Sequence, residues 1–174
     1  FVKYLTKIGI DAYGIESEQY LVKLANSKRV EWAYFDKDYH SETKYDLICL
    51  TQMLYYQRDS YAILEKVKKM LTPKGLIFIA TINPQSSIIK NELKDQLPTY
   101  GANMILSKNN FKNLENTLGL KIVDYTAYKS NVGYDYHSGK NRILVFLKYY
   151  LKLKEAVVPD IDGNVGFLLL KSTN

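Results

Sequence analysis

Residues 45–84 read YDLICLTQMLYYQRDSYAILEKVKKMLTPKGLIFIATINP, and the fold is decided there. Within residues 45–51, DLICL is an unbroken apolar run of the kind found in strands covered on both faces. Asp59 and Ser60 then offer helix-opening side chains, and Ile63, Leu64, Val67 and Leu71 recur at helical spacing. The turn Thr72-Pro73-Lys74-Gly75 stops that helix, and GLIFIAT (residues 75–81) is the next buried strand. A strand, a helix and a strand in succession make a crossover unit whose strands run parallel.

The alternation extends in both directions. Upstream, Val2, Leu5 and Ile8 are spaced like the end of an amphipathic helix. AYGIE (residues 12–16) is a short apolar run closed by an acid, and Ser17 can cap a helix to about Ser27 with Tyr20, Leu21, Leu24 and Ala25 on one face. VEWAYF (residues 30–35) is a further strand, followed by Asp36. Downstream, Ser107 caps a helix striped by Phe111, Leu114 and Leu118 and closed by Gly119. LKIVDYTAY (residues 120–128) and VGFLLLK (residues 165–171) are the last strands. The expected fold is α/β, a mostly parallel sheet flanked by helices.

Residues 129–164 break this rhythm. They open with the turn-rich SNVGYDYHSGKN, continue into a helix at 142–155, and end in VVPDIDGN. In that helix Ile143, Leu144, Leu147 and Leu151 oppose Lys148 and Lys152. Long insertions in compact domains are usually functional, so a cap or lid is expected here within one domain spanning 1–174.

Composition narrows the function classes. The 174 residues are 47% hydrophobic and 24% charged, which excludes a disordered chain. The lone Cys49 excludes an internal disulfide framework, and with only His40 and His137 beside it no metal site is expected. No apolar run reaches the roughly 18 residues of a membrane span, and no basic-then-apolar leader is visible, so a soluble, cytoplasmic protein is expected. The net charge of +6 is spread over helices rather than gathered in a stripe, and the sixteen tyrosines follow a bias that runs through the whole chain. No nucleic-acid partner is expected.

In open α/β sheets ligands bind beyond the carboxyl ends of the strands. That rule nominates Glu16, Asp36, residues 51–56 and residues 81–84. A carboxylate directly after a strand can accept the hydroxyls of a ribose. An acid at a helix start is equally well explained by the helix dipole.

Residues 45–84 resemble the central part of class I S-adenosylmethionine-dependent methyltransferases, in the branch that modifies small molecules, quinones and sugars. YDLI, LTPKG and TINP stand in the order of that branch's "FDLV", "LKPGG" and "TPNP". YGIESEQYLVKLA (residues 13–25) is similar to its second motif, and ILSKNNFKNLENTLGLKIVDY (residues 105–125) to its later helix–strand segment. The resemblance covers all but residues 129–164.

It implies a Rossmann-like methyltransferase sheet, mostly parallel, whose reversed last strand forms a hairpin with residues 120–128. S-adenosylmethionine is the implied cofactor. Glu16, with Ser17, would hold its ribose; Asp36, framed by Phe35 and Lys37, its adenine; Thr51 and Gln52 its methionine end. Tyr55 and Tyr56 replace the branch's usual Glu-His and, with Tyr136, would meet the substrate. The expected reaction is methylation of a small-molecule or glycan acceptor at oxygen; His137, beside Asp135 and Tyr136 in the insertion, is the candidate general base, the alternative being a surface histidine in a polar loop. A homodimer is compatible with the resemblance.

The chain departs from the family in lacking any GxG turn, and with it the family's central first strand. Roughly 30 or more further residues upstream of Phe1, or a partner chain, are expected to supply that strand–helix unit. Two alternatives remain at this point. A nucleotide- or NAD-dependent enzyme of the same sheet class would also place an acid on a ribose. A non-catalytic methyltransferase-like subunit would explain the absent glycine turn.

Overall fold

The computed structural model describes residues 1–36, 38–83, 86, 110–111, 113–128 and 165–173. The chain divides into two compact units, Phe1–Ser41 and Glu42–Asn174.

The first unit runs α1 (Val2–Lys7), β1 (Gly14–Glu16), α2 (Gln19–Ala25) and β2 (Val30–Trp32). Its strands pair in parallel, Ile15 opposite Glu31 and Glu16 opposite Trp32. Gly14 permits a close approach of α1, since a Cβ there would sit 2.9 Å from Val2 Cγ2. Arg29 pairs with Asp11 and lies over the Tyr13 ring, 4.8 Å from its centroid, which ties the entries of the two strands together. The start of α2 corrects the expected cap: Glu18, not Ser17, is the N-cap residue, and no side chain caps the helix. The Ser17 hydroxyl instead donates to its neighbour, Glu16 Oε1, at 3.4 Å. The helix ends at Asn26, whose left-handed φ of 44° suits an asparagine. Tyr20, Leu21 and Leu24, read with Ala25 as one face of the helix, are exposed, and Ala25 is half-buried.

The second unit holds β3 (Tyr45–Thr51), a 3₁₀ turn at Leu54–Tyr56, α3 (Ser60–Lys69), β4 (Leu71–Ile82), α4 (Leu114–Leu118), β5 (Leu120–Tyr128) and β6 (Val165–Ser172). The sheet order is β3-β4-β6-β5. β3 and β4 are parallel, and β6 lies antiparallel to both β4 and β5. This is the expected mixed sheet with its reversed last strand.

α3 forms where the sequence places it. Asp59 caps it by accepting from the Ala62 N–H at 2.9 Å, and the buried Ser60 hydroxyl donates to the Leu54 carbonyl at 3.1 Å. Its Ile63, Leu64 and Val67 are fully buried, each burial contributing on the order of 2 kcal/mol. They share a core with Ile77 and Ile79 of β4 and, opposite these in the ladder, Leu170 and Leu168 of β6. Phe111 and Leu114 join that core, and Gly119 closes α4 at a left-handed φ of 59°, as the stripe and the glycine predict. Lys68 Nζ donates to the Leu118 carbonyl at 2.7 Å, so a lysine of α3 satisfies the open end of α4.

Two readings of the 45–84 stretch are corrected. The helix stops at Lys69, and residues 72–75 do not separate it from the next strand but lie within β4. Tyr45 is opposite Leu71 while Leu47 is opposite Leu76, so the Thr72–Gly75 residues form a bulge. Thr72 Oγ1 pins the bulge by donating to Asp46 Oδ1 at 2.9 Å. A Cβ on Gly75 would lie 2.8 Å from the Tyr45 carbonyl oxygen, so the tight approach requires glycine. The second correction concerns β3, read as covered on both faces. Leu47 on this strand is 52% exposed, so one face is open; its edge position among the described residues agrees with the expected absence of the first strand.

Candidate functional site

The nominated residues gather at the carboxyl ends of parallel strands, in each unit separately. In the first, Glu16 ends β1 and is partly buried. Its Oε1 is fixed by the Glu18 N–H at 3.0 Å and by the Ser17 hydroxyl. Among the described residues Oε2 accepts no hydrogen bond. The Trp32 indole N–H donates to the Ser17 carbonyl at 2.9 Å, which holds the turn after β1 against the end of β2. A carboxylate oriented through one oxygen therefore presents the other.

Asp36 lies four residues beyond β2 in an exposed bend. Its Oδ1 accepts from the N–H groups of Asp38 at 2.8 Å and Tyr39 at 3.2 Å, an Asx-type turn that builds the loop. The Phe35 and Tyr39 rings lie 5.2 Å apart at 48°, giving the loop a small aromatic face. Lys37 lies outside the described residues.

In the second unit Thr51 ends β3 and Gln52 follows it, both exposed. Gln52 has φ of 55°, a left-handed conformation unusual for a residue with a Cβ, and its N–H donates to the Ala80 carbonyl of β4 at 2.8 Å. The Tyr55 hydroxyl donates to Gln52 Oε1 at 3.1 Å. Tyr55 and Tyr56, paired by the sequence as substrate contacts, have different surroundings: Tyr55 is 8% exposed and Tyr56 46%. Their rings are 4.4 Å apart. Burial pushes the Tyr55 phenol above its ordinary value, and Tyr56 adds to the rise.

The nominated residues 81–84 place a second amide at the neighbouring strand end. Asn83, just past β4, is 2% exposed, and the Tyr125 hydroxyl of β5 donates to its Oδ1 at 3.3 Å. Ser86, whose N–H donates to the Asn83 carbonyl at 3.2 Å, has a buried hydroxyl with no hydrogen-bond partner among the described residues. Cys49 is half-buried on β3, and burial raises its thiol. Tyr136 and His137 lie outside the described residues, as does the whole 129–164 segment.

The model of one family, described as a methyltransferase domain, matches residues 1–125. The chain belongs to the methyltransferase domain family. Solved methyltransferases share its fold. The N-methyltransferase NodS from Bradyrhizobium japonicum WM9, in complex with S-adenosyl-L-homocysteine, is 12% identical with a TM-score of 0.58, over 99% of this chain and 74% of that one. The plantazolicin methyltransferase BpumL, in complex with a triazolic desmethylPZN analog and SAH, is 18% identical with a TM-score of 0.61, over 99% of this chain and 72% of that one. A methyltransferase from Thermotoga maritima, described as a possible histamine N-methyltransferase, is 10% identical with a TM-score of 0.65, over 98% and 77%. No curated protein sequence matches the chain. No helix among the described residues of this methyltransferase-family chain is long and apolar enough to cross a membrane.

Proposed function

We propose that this chain transfers a methyl group from S-adenosylmethionine to a small-molecule or glycan acceptor, at oxygen. Membership of the methyltransferase domain family supports the reaction class. The observation that carries the cofactor reading is Glu16, held through Oε1 by its own turn and open at Oε2. That arrangement fits a ribose, whose hydroxyls can donate to an ionised carboxylate. Gln52 fits the cofactor's other end, being exposed at the end of a parallel strand with its side-chain carbonyl already engaged.

When bound, S-adenosylmethionine supplies an activated methyl on a sulfonium sulfur. The chain's own residues bind and orient. Glu16 accepts from the ribose, Asp36 accepts from the adenine amino group, and Phe35 and Lys37 frame the ring. Thr51 and Gln52 line the methionine end, and the exposed Tyr56 with Tyr136 meets the acceptor. His137 takes the acceptor's proton, which raises the nucleophilicity of its oxygen. Holding acceptor and methyl in line is the larger part of such catalysis. Residues 129–164 supply the cover that keeps water out.

The antiparallel β6 between β4 and β5 favours this reading over an NAD-dependent enzyme, whose dinucleotide-binding sheet is mostly parallel. The test is titration calorimetry with S-adenosylhomocysteine and NAD, followed by transfer of labelled methyl to a panel of hydroxylated small molecules and sugars. Binding of S-adenosylhomocysteine alone, with label appearing on oxygen, is expected. Absence of binding would sink the cofactor reading, and label on nitrogen alone would move the acceptor atom.

A further inference from the structure

A glutamine amide can face a ligand in two ways, offering its carbonyl oxygen as acceptor or its NH2 as donor. The amino-acid end of S-adenosylmethionine offers both counterparts, a donor-only ammonium and an acceptor-only carboxylate. The orientation of Gln52 therefore decides which of them it recognises. Two constraints set that orientation. The backbone at Gln52 is held at φ 55° by its N–H bond to the Ala80 carbonyl at 2.8 Å. The side-chain oxygen accepts from the Tyr55 hydroxyl at 3.1 Å, across the 3₁₀ turn. Tyr55 is buried and Gln52 exposed, so the phenol lies behind the amide. Burial also keeps that phenol protonated, making it a lasting donor rather than a base. The Gln52 nitrogen has no partner among the described residues.

We propose that Tyr55 is a positioning residue that fixes the Gln52 amide with its NH2 toward the ligand, so that Gln52 donates to the carboxylate of the cofactor's amino-acid end. This rests on the cofactor reading above and reassigns Tyr55 from substrate contact to support. At the neighbouring strand end a tyrosine hydroxyl also donates to a side-chain amide oxygen, Tyr125 to Asn83 Oδ1 at 3.3 Å, but there the amide is the buried partner.

The experiment is calorimetry on the full chain with three ligands: S-adenosylhomocysteine, its decarboxylated analogue, and 5′-methylthioadenosine, which lacks the amino-acid end. Gln52→Ala should weaken S-adenosylhomocysteine about ten-fold, the loss of one hydrogen bond to a charged group. Tyr55→Phe should weaken it about three- to five-fold, leave 5′-methylthioadenosine unchanged, and add nothing in the Gln52→Ala background. Gln52→Glu keeps an acceptor for Tyr55 but removes the donor, and should turn the preference toward the decarboxylated analogue. This variant tests the inference independently should Tyr55→Phe fold poorly. Equal weakening of all ligands by Tyr55→Phe would mean a packing role and overturn the proposal, as would additive losses in the double variant or an unchanged preference in Gln52→Glu. Wild-type protein that ignores S-adenosylhomocysteine would fell the cofactor reading and this inference together. Wild-type binding with an unaffected Tyr55→Phe would fell this inference alone.

Discussion

Replacing Glu16 by glutamine is the sharpest test of the ribose assignment, because the change leaves the local structure almost untouched. Oε1 accepts from the Glu18 N–H at 3.0 Å, and a glutamine carbonyl can do the same. What changes is the position of Oε2, where an acceptor becomes an NH2 donor. With Oε1 engaged, one oxygen rather than two is open to the sugar hydroxyls. A hydrogen bond to a charged group contributes about 1.5–3 kcal/mol. Glu16 is only partly buried, which favours the lower end and predicts about ten-fold weaker binding of S-adenosylhomocysteine in Glu16→Gln. Glu16→Ala should lose more, since it also strips the Glu18 N–H of its acceptor. Titration calorimetry reads the affinities, and circular dichroism checks that both variants fold. Affinity in Glu16→Gln within two-fold of wild type, roughly 0.4 kcal/mol, would refute the assignment.

Two further outcomes follow from the second unit. Gly75→Ala should destabilise the chain by about 1–3 kcal/mol, because its Cβ would press to 2.8 Å on the Tyr45 carbonyl, a backbone atom that cannot swing away; urea unfolding would show a lower midpoint at unchanged slope. Stability should also fall at alkaline pH. Burial raises the Tyr55 and Tyr125 phenols above 10.0, so an unfolded chain loses these protons first. The stability they contribute is intact below about 10 and is lost as pH rises through their folded values. A thermal melt series should show this loss reduced in Tyr125→Phe.

The crossover unit from β3 to β4 was legible because three independent signals agree in it: two apolar runs, an Asp–Ser helix start, and a helical stripe between them. The reversed β6 was legible only through the resemblance, since an apolar run such as GFLLLK carries no direction. The misread points are places where a local rule met a stronger neighbour. Ser17 has the chemistry of a cap, but the adjacent Glu16 carboxylate takes its hydroxyl. Thr72-Pro73-Lys74-Gly75 has the chemistry of a turn, yet the β3 ladder resumes on its far side and converts it into a bulge. The edge position of β3 could not be read from DLICL, because pairing is a property of what lies beside a strand. At the candidate site, Glu16 was nominated by position alone, whereas the separation of Tyr55 from Tyr56 needed burial: adjacent identical residues differ only in which way the 3₁₀ turn points them.

The place of β6 in the sheet has a kinetic consequence. β3, α3 and β4 can assemble from neighbouring sequence, but β4 and β5 never pair with each other. They are joined only when β6 slots between them, bringing Leu168 opposite both Ile79 and Tyr125. Joining them requires β6 to pair on both sides with strands distant in sequence, and long-range pairing of that kind slows folding. Until then β4 and β5 each expose an apolar edge that a second unfolded chain could occupy, so refolding yield should depend on protein concentration far more than the stability of the finished sheet would suggest.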